Sequence, residues 1–495
     1  MMRQLLRASC ILAAIVITAA AAPGAQKTQT IKAGAGPLAT SIWYLSAESG
    51  VDNQIALEHM RAAGARYVRI FFYWSAIAPS GSEPPTGFQA RDPADPNYNW
   101  QNNDNVIRAA ADAGLEPIVL IFSPPVWAQG DAGQPSPAAL ADFATATAKR
   151  YGGSFEGLPR VRYWSIWNEP NLSAFLGPQS VDGKPFAPYL YRAMLNASAD
   201  AIHSVNADNI VIGGETAPFW NAELPKTAPI AFMEMVLCIS EKQVRNKMTN
   251  EVQTIYKSAC KQRAKFDVWA HHPYTEGGPT HRAQVHGNAS LGDLGDMRAV
   301  LNAAIRANHV VSEQKIRFWV TEFSWDSKPP DPKGVPVQLE ARWVSQALYQ
   351  AWKAGVSLFT WTAIRDEPLS SSYLQAGLYY RSESGIASDR AKPALRAFRF
   401  PFVALRQPKN KVLLWGRTPT STVGNVLIER KFGAEWKLVT RLEANRYGIF
   451  KAQIDEPVKT AYLRACLADG SDWSVPFSLK TPKKTWTGCA FGTCV

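Results

Sequence analysis

Between residues 38 and 400 the apolar positions alternate between two kinds of run. Short stretches rich in β-branched and aromatic residues predict buried strands over 38–44, 67–73, 116–122, 209–213, 266–270 and 356–361. Two more close on a carboxylate: Tyr163-Trp164-Ser165-Ile166-Trp167-Asn168-Glu169, and Phe318-Trp319-Val320-Thr321-Glu322. Between them lie longer segments with a period near 3.6, predicting helices over 53–63, 103–113, 138–151, 189–205, 291–307, 339–354 and 392–398. Gly64, Gly114 and Gly355 stand just past three of these, where glycine ends a helix. Strands alternating with helices imply a parallel sheet. Eight such units are the count that closes a (β/α)8 TIM barrel. In that fold the chemistry sits at the C-terminal ends of the strands, which is where Glu169 ends the fourth strand and Glu322 the seventh.

Two long connections emerge on the same side. Residues 78–101 are rich in Pro, Gly, Asp and Asn and read as a cleft wall; 216–265 form the largest insertion, with helical periodicity around 230–239. Past residue 402 the pattern changes to short alternating runs over 411–416, 426–432, 436–442, 447–454, 460–467 and 473–479. Turn residues separate them, which predicts a small β-sandwich. The expected organisation is a leader over 1–25, a catalytic barrel over 26–402, and a β-sandwich domain with a cysteine-containing tail over 403–495.

Composition adds a compartment. Arg3 and Arg7, an apolar run over 11–17 and small residues over 19–22 have the form of a secretory signal, too short to stay in a bilayer as a spanning helix. The expectation is therefore a secreted protein without integral membrane association. Cys10 leaves with the signal. Cys238 and Cys260 fall in one insertion and could pair, and a second pair could form among Cys466, Cys489 and Cys494. These spacings match no zinc pattern. The net charge is +12, and from residue 401 onward there are 15 Lys and Arg against 7 Asp and Glu. Such a surface is either simply solvated or attracts an anionic or cell-wall polysaccharide. Nothing in the pattern points to nucleic acid, and with no phosphate-binding glycine loop no cofactor is expected.

The two glutamates lie 153 positions apart, so only a closed fold could bring them together. Cleaving a glycosidic bond needs one carboxylic acid to protonate the leaving oxygen and a second carboxylate across the sugar. When that second group attacks the anomeric carbon itself, the two carboxyls stand about 5–5.5 Å apart and configuration is retained. The acid must keep its proton near neutrality, which a like charge nearby favours. Glu169 as acid and Glu322 as attacking carboxylate satisfy this, and Asn168 places an amide where it could bond the sugar 2-hydroxyl.

With Arg69 in the second strand and His271-His272-Pro273-Tyr274 after the sixth, the chain resembles clan A of the retaining glycoside hydrolases, families 5 and 39 most nearly. The resemblance covers about 38–400. It implies that Glu169 is the acid/base and Glu322 the nucleophile, that Arg69 supports the nucleophile, and that Tyr274, in the His272-x-Tyr274 element, hydrogen-bonds it. It also implies that Trp361, ending the eighth strand, is an aromatic platform under the cleaved sugar.

Other readings of the same residues stay open. Trp74, Trp127, Trp220 and Trp325 follow strands and could stack on sugars or belong to loop cores. Glu215 and Asp366 are spare carboxylates after the fifth and eighth strands. His271 and His272 suggest a metal, but neighbours on a strand face opposite ways and no third ligand is evident, so no metal is expected. The activity implied is hydrolysis of O-glycosidic, β-configured bonds in a polysaccharide or oligosaccharide. Transglycosylation at the same site, or a non-catalytic carbohydrate-binding protein on a barrel scaffold, are the alternatives.

Overall fold

A computed structural model describes residues 36–43, 51–130, 133–218, 227–245, 252–370 and 374–480. The leader with Cys10, Tyr44 at the end of the first expected strand, Trp220, and the tail cysteines Cys489 and Cys494 lie outside the described residues.

Eight parallel strands close into a barrel: β1 (Ala39–Trp43), β2 (Tyr67–Tyr73), β3 (Glu116–Phe122), β4 (Tyr163–Ile166), β5 (Ile210–Thr216), β6 (Val268–His271), β7 (Arg317–Val320) and β8 (Leu358–Trp361). Each pairs with its neighbours in sequence, and β8 closes onto β1. The strands are almost wholly buried because helices cover the barrel outside and side chains fill it within. At the N-terminal end the filling is aromatic: Tyr67, Tyr163 and Trp319 meet, with Tyr67 edge-on to Tyr163 at 5.3 Å.

The covering helices are α1 (Val51–Ala62), α2 (Gln101–Asp112), α3 (Pro137–Arg150), α4 (Ala187–Val205), α5 (Leu294–Arg306), α6 (Val337–Lys353) and α7 (Pro393–Arg399). α3 starts on Ser136, whose hydroxyl accepts from the Ala139 N–H, with Pro137 at the first helical position. α1 stops as the sequence indicates. Gly64 takes φ +83° and its N–H bonds Arg61 O, while Ala65 N–H bonds Met60 O, the paired bonds that satisfy a helix's last carbonyls.

The insertion after β5 differs from its sequence reading. Its helix is Pro229–Val236, and Cys238, at φ +55°, turns the chain into a hairpin of Ile239–Arg245 against Val252–Ser258. The expected Cys238–Cys260 disulfide is present at a Cα separation of 5.1 Å and ties the hairpin's two ends.

After α7 come β9 (Phe402–Arg406), β10 (Lys411–Arg417), β11 (Gly424–Phe432), β12 (Glu435–Ala444), β13 (Ile449–Asp455), β14 (Tyr462–Leu467) and β15 (Phe477–Ser478). They form an antiparallel three-stranded sheet (β9-β10-β13) and a four-stranded one (β12-β11-β14-β15). β9 has no counterpart in the sequence reading, whose first strand here was 411–416. Cys466 is buried in β14; Cys489 and Cys494, the other members of the expected second pair, lie outside the described residues. This region is joined firmly to the barrel. Trp415 packs on Tyr349 and Trp352 of α6, and the Arg342 guanidinium lies 3.8 Å over Phe477. Among the described residues no helix is long and apolar enough to cross a membrane.

Candidate active site

Arg69 stands fully buried inside the barrel, fixed by its place in the middle of β2. A guanidinium there needs carboxylates around it. It donates from Nη1 to Glu322 Oε1 (2.7 Å), and from Nη2 to Glu215 Oε2 (3.1 Å) and Asn168 Oδ1 (3.4 Å). Residues two places past β7 and β4, and one near the end of β5, thus converge on one cation.

Glu215 reaches it through a bulge. Trp269 pairs with Gly213 and His271 with Thr216, so β5 carries one residue more than β6 across this step. Gly214 adopts φ +96° with its Cα so close to β6 that a Cβ would fall 2.4 Å from Ala270 O; Glu215 follows at φ +50°. The side chain turns into the barrel, where it also accepts from Thr321 Oγ1 (2.6 Å), His272 Nε2 (2.8 Å) and Ser165 Oγ. Burial opposes its charge, but Arg69, His272 and Ser165 outweigh burial and hold its pKa down at about 2. Glu215, one of the spare carboxylates, is therefore a buried anion that organises its neighbours.

His272 lies between carboxylates. Its Nδ1 meets Glu169 Oε1 at 3.0 Å and its Nε2 meets Glu215 Oε2. Burial alone would depress its pKa. The charges and hydrogen bonds of Glu322, Glu169 and Glu215 raise it to about 9, so the ring is an imidazolium at neutral pH. The adjacent His271 faces the other way, bonded to Thr216 Oγ1 and Ala289 O, and burial pushes its pKa down to about 3.

Glu169 sits on strained backbone, with Trp167 at φ +69° and Glu169 at φ +41° on either side of Asn168. Its N–H donates to Glu215 O (2.9 Å), pinning the turn. Burial raises its carboxyl pKa and the His272 cation only partly offsets this, so it holds a proton more tightly than an ordinary glutamate. Glu322 is held differently, accepting from Arg69 on one oxygen and from Tyr274 Oη on the other (3.1 Å). Tyr274 Oη also meets Thr362 Oγ1 at 2.8 Å. Asn168 gives its oxygen to Arg69, and its amide nitrogen bonds no described residue. A carboxyl whose pKa burial raises and a doubly supported carboxylate thus stand together, with an amide donor beside them.

One donor atom each from Glu169, His272 and Glu322 lie within 4.8 Å of one another. His272 turns its Nδ1 to Glu169 and its Nε2 to Glu215, so the cluster can work as a hydrogen-bonded acid–base network.

The expected aromatic residues separate. Trp361 and Trp325 are enclosed, Trp361 bonding Ala376 O and Trp325 bonding Gly277 O, each packed with Phe323. Neither offers an open indole face, which corrects the expectation that they stack on sugar. Trp74 is likewise core, stacked on Phe143. Trp127 is half-buried; its Nε1 bonds Pro79 O and its ring meets Phe88, so it holds the 78–101 connection in place. Asp366 is buried on Lys392 (2.5 Å), a structural pair. The open aromatic surface comes from residues that sequence reading passed over. Trp43, Phe71, Tyr73 and Phe122 form a contiguous wall at the ends of β1–β3, with Phe71 under the Arg69 guanidinium and Tyr73 47% exposed. The Glu322 charge adds to burial in raising the Tyr73 pKa, which sets this wall beside the site.

The cellulase family (glycosyl hydrolase family 5) matches the chain over residues 26–365. No curated protein matches it. Among solved structures the chain is similar to a GH39 enzyme from Xanthomonas axonopodis pv. citri (14% identity, 85% of this chain and 91% of that one, TM-score 0.47). It is also similar to a monomeric β-xylosidase from Caulobacter crescentus CB15 (14%, 86% and 98%, 0.48) and to an endo-β-1,4-mannanase from Thermotoga petrophila (11%, 90% and 97%, 0.42).

Proposed function

The chain belongs to glycosyl hydrolase family 5 and is a glycosidase, and from that premise we propose that it cleaves β-linked polysaccharide or oligosaccharide chains with retention of configuration. The observation that carries this reading is the pairing of Glu169, a half-buried carboxyl whose pKa burial raises, with Glu322, a carboxylate braced by Arg69 and Tyr274, their nearest oxygens within 4.8 Å. Such closeness falls short of the roughly 6.5–9.5 Å of an inverting pair and suits direct attack on the anomeric carbon.

In this mechanism Glu322 attacks the anomeric carbon as the Glu169 proton passes to the leaving oxygen, and the C–O bond breaks. Arg69 and Tyr274 fix the attacking oxygen's partner atoms, so little reorganisation accompanies bond formation. The ionised Glu169 then takes a proton from water, which attacks the same carbon and releases Glu322. His272 stabilises Glu169 while it is charged, and the Asn168 amide donates to the sugar 2-hydroxyl. The Tyr73–Phe122 wall supplies apolar faces for sugar rings.

The test is the anomeric form of the first product, read by proton NMR during hydrolysis of aryl β-glycosides. Retention gives the β-anomer before mutarotation; an initial α-anomer would exclude this mechanism. The leader-like sequence over 1–25 supports export, to be checked by the N-terminal mass of protein recovered from outside the cytoplasm.

A further inference from the structure

At the end of the barrel away from the glutamates, a cavity of about 1210 Å³ opens between the N-terminal ends of the strands and the C-terminal β region. β2 spans the distance between the two places: Tyr67 lines the cavity and Tyr73 borders the site, about 20 Å apart at the rise of a strand. The cavity floor is the aromatic plug of Tyr67, Tyr163 and Trp319.

Among the described residues thirty line the cavity; ten of these are Lys or Arg, and none is Asp or Glu. Among the described residues only two of these ten, Arg66 and Arg162, come within 4.0 Å of a carboxylate. Surface charges can be left to water, but this cluster includes a buried one. Arg417 is 1% exposed and, among the described residues, donates only to neutral oxygens: Leu38 O (3.0 Å), Thr40 Oγ1 (3.2 Å) and Phe398 O (3.4 Å). Its Nε has no partner among the described residues, and burial pushes its pKa down to about 10. Burial lowers the Arg298 pKa too. A fold gains nothing by gathering unpaired cations in a hollow, where each raises the cost of the others.

We propose that this cavity is a second carbohydrate site, taking an oligosaccharide whose sugar units carry carboxylate groups. Guanidinium forks match carboxylates in two-point contact. Aromatic rings stand beside the cations: Tyr447 under Arg446 (4.7 Å), Trp319 under Arg317 (5.4 Å) and Trp352 under Lys451 (5.6 Å). That pairing of flat faces with cations suits an acidic sugar. The site stands apart from the roles assigned to Glu169 and Glu322, and would hold a charged glycan while the opposite end of the barrel works on a chain.

The test is calorimetric titration of a galacturonate hexamer into the full chain carrying Glu322→Gln, so that no turnover intervenes. Saturable binding is expected, falling steeply with added NaCl. Arg298→Glu with Arg446→Glu should weaken it tenfold or more, while the corresponding lysine pair binds within threefold of the parent and shows that the fold persists. The fully methyl-esterified hexamer should bind at least tenfold more weakly. Hydrolysis by Arg298→Glu/Arg446→Glu on a wild-type background should stay within twofold. Equal affinity for the methyl ester, or affinity unmoved by the double reversal, would overturn the proposal. So would equally tight binding of a 12-nucleotide single-stranded DNA, which would make the cavity a general polyanion surface.

Discussion

Replacing Glu215 with glutamine removes one negative charge and almost no volume, and its consequences can be worked out from the structure. Arg69 would keep only Glu322 as a charged partner, and His272 only Glu169 on its hydrogen-bonded nitrogens. Two estimates of the cost agree. Breaking a buried ion pair by removing one member destabilises by about 3–5 kcal/mol. Independently, a carboxylate pKa drawn from 4.5 to about 2 is worth about 3 kcal/mol at 1.36 kcal/mol per unit. The sign follows from the depressed value. The contribution is complete above the ordinary pKa of 4.5, where the unfolded carboxyl is also ionised, and is lost as pH falls toward 2. Thermal unfolding at pH 7 should therefore show Glu215→Gln destabilised by about 3 kcal/mol, a large part of the roughly 5–15 kcal/mol typical of a folded domain. The gap should close as both proteins are taken from pH 4.5 toward pH 2. Since Arg69 and His272 each touch one of the paired glutamates, kcat/KM should fall about a hundredfold, the scale of a 1 Å misplacement. A variant within 0.5 kcal/mol of the parent at pH 7, or a gap that does not shrink in acid, would refute the claim that this buried charge organises the site.

Three further outcomes follow from the same physics. His272→Asn removes the cation that holds the Glu169 pKa down against burial, so the alkaline limb of the kcat/KM–pH profile should move to higher pH; a limb that moves down or stays would contradict the contact's role. Tyr73→Ala opens the aromatic wall without touching the carboxylates, and should raise KM up to about tenfold with kcat little changed; unchanged steady-state kinetics would place the wall outside the substrate path. Glu340, fully buried on α6 beside Asp366 and Asp326, has its pKa raised to about 8 by burial. The folded protein keeps that proton where the unfolded chain gives it up, so stability falls as pH rises from 4.5 to 8. Glu340→Gln should thus raise the melting temperature at pH 8 and leave it nearly unchanged at pH 4.5; the same shift at both would refute this.

The barrel was legible because its signal is local. A strand such as Glu116–Phe122 is apolar from Pro117 onward and a helix such as Gln101–Asp112 buries Ile107 and Ala110 on one face, so the period of each segment reports its environment. The placing of Glu169 and Glu322 follows from counting those units. The parts that escaped depend on register and on neighbours distant in sequence. The inward turn of Glu215 comes from one extra residue in β5 relative to β6, which no property of Gly213-Gly214-Glu215 declares by itself, although paired glycines before a strand-end carboxylate are a signal for such a bulge. The tryptophans misled because an indole after a strand can turn outward to substrate or inward to the next helix. Trp325 and Trp361 turn inward onto Phe323, Trp343 and Phe398, contacts that exist only once the barrel has closed. In the insertion, the apolar run through Ile239 continues the helical spacing, but the Cys238–Cys260 bridge and the pairing of Ile239 with Ser258 make it a strand.

The most direct measurement is intact-mass analysis and peptide mapping after incubation with 2-deoxy-2-fluoro β-glycosides carrying a good leaving group, run on a panel of sugars that the enzyme is first shown to hydrolyse. The account predicts a single stoichiometric adduct on the Glu322 carboxylate, with Glu322→Gln neither labelled nor active. A label on Glu215 or another carboxylate, or inverted product from a hydrolysed sugar whose fluoro analogue leaves the enzyme unlabelled, would contradict it.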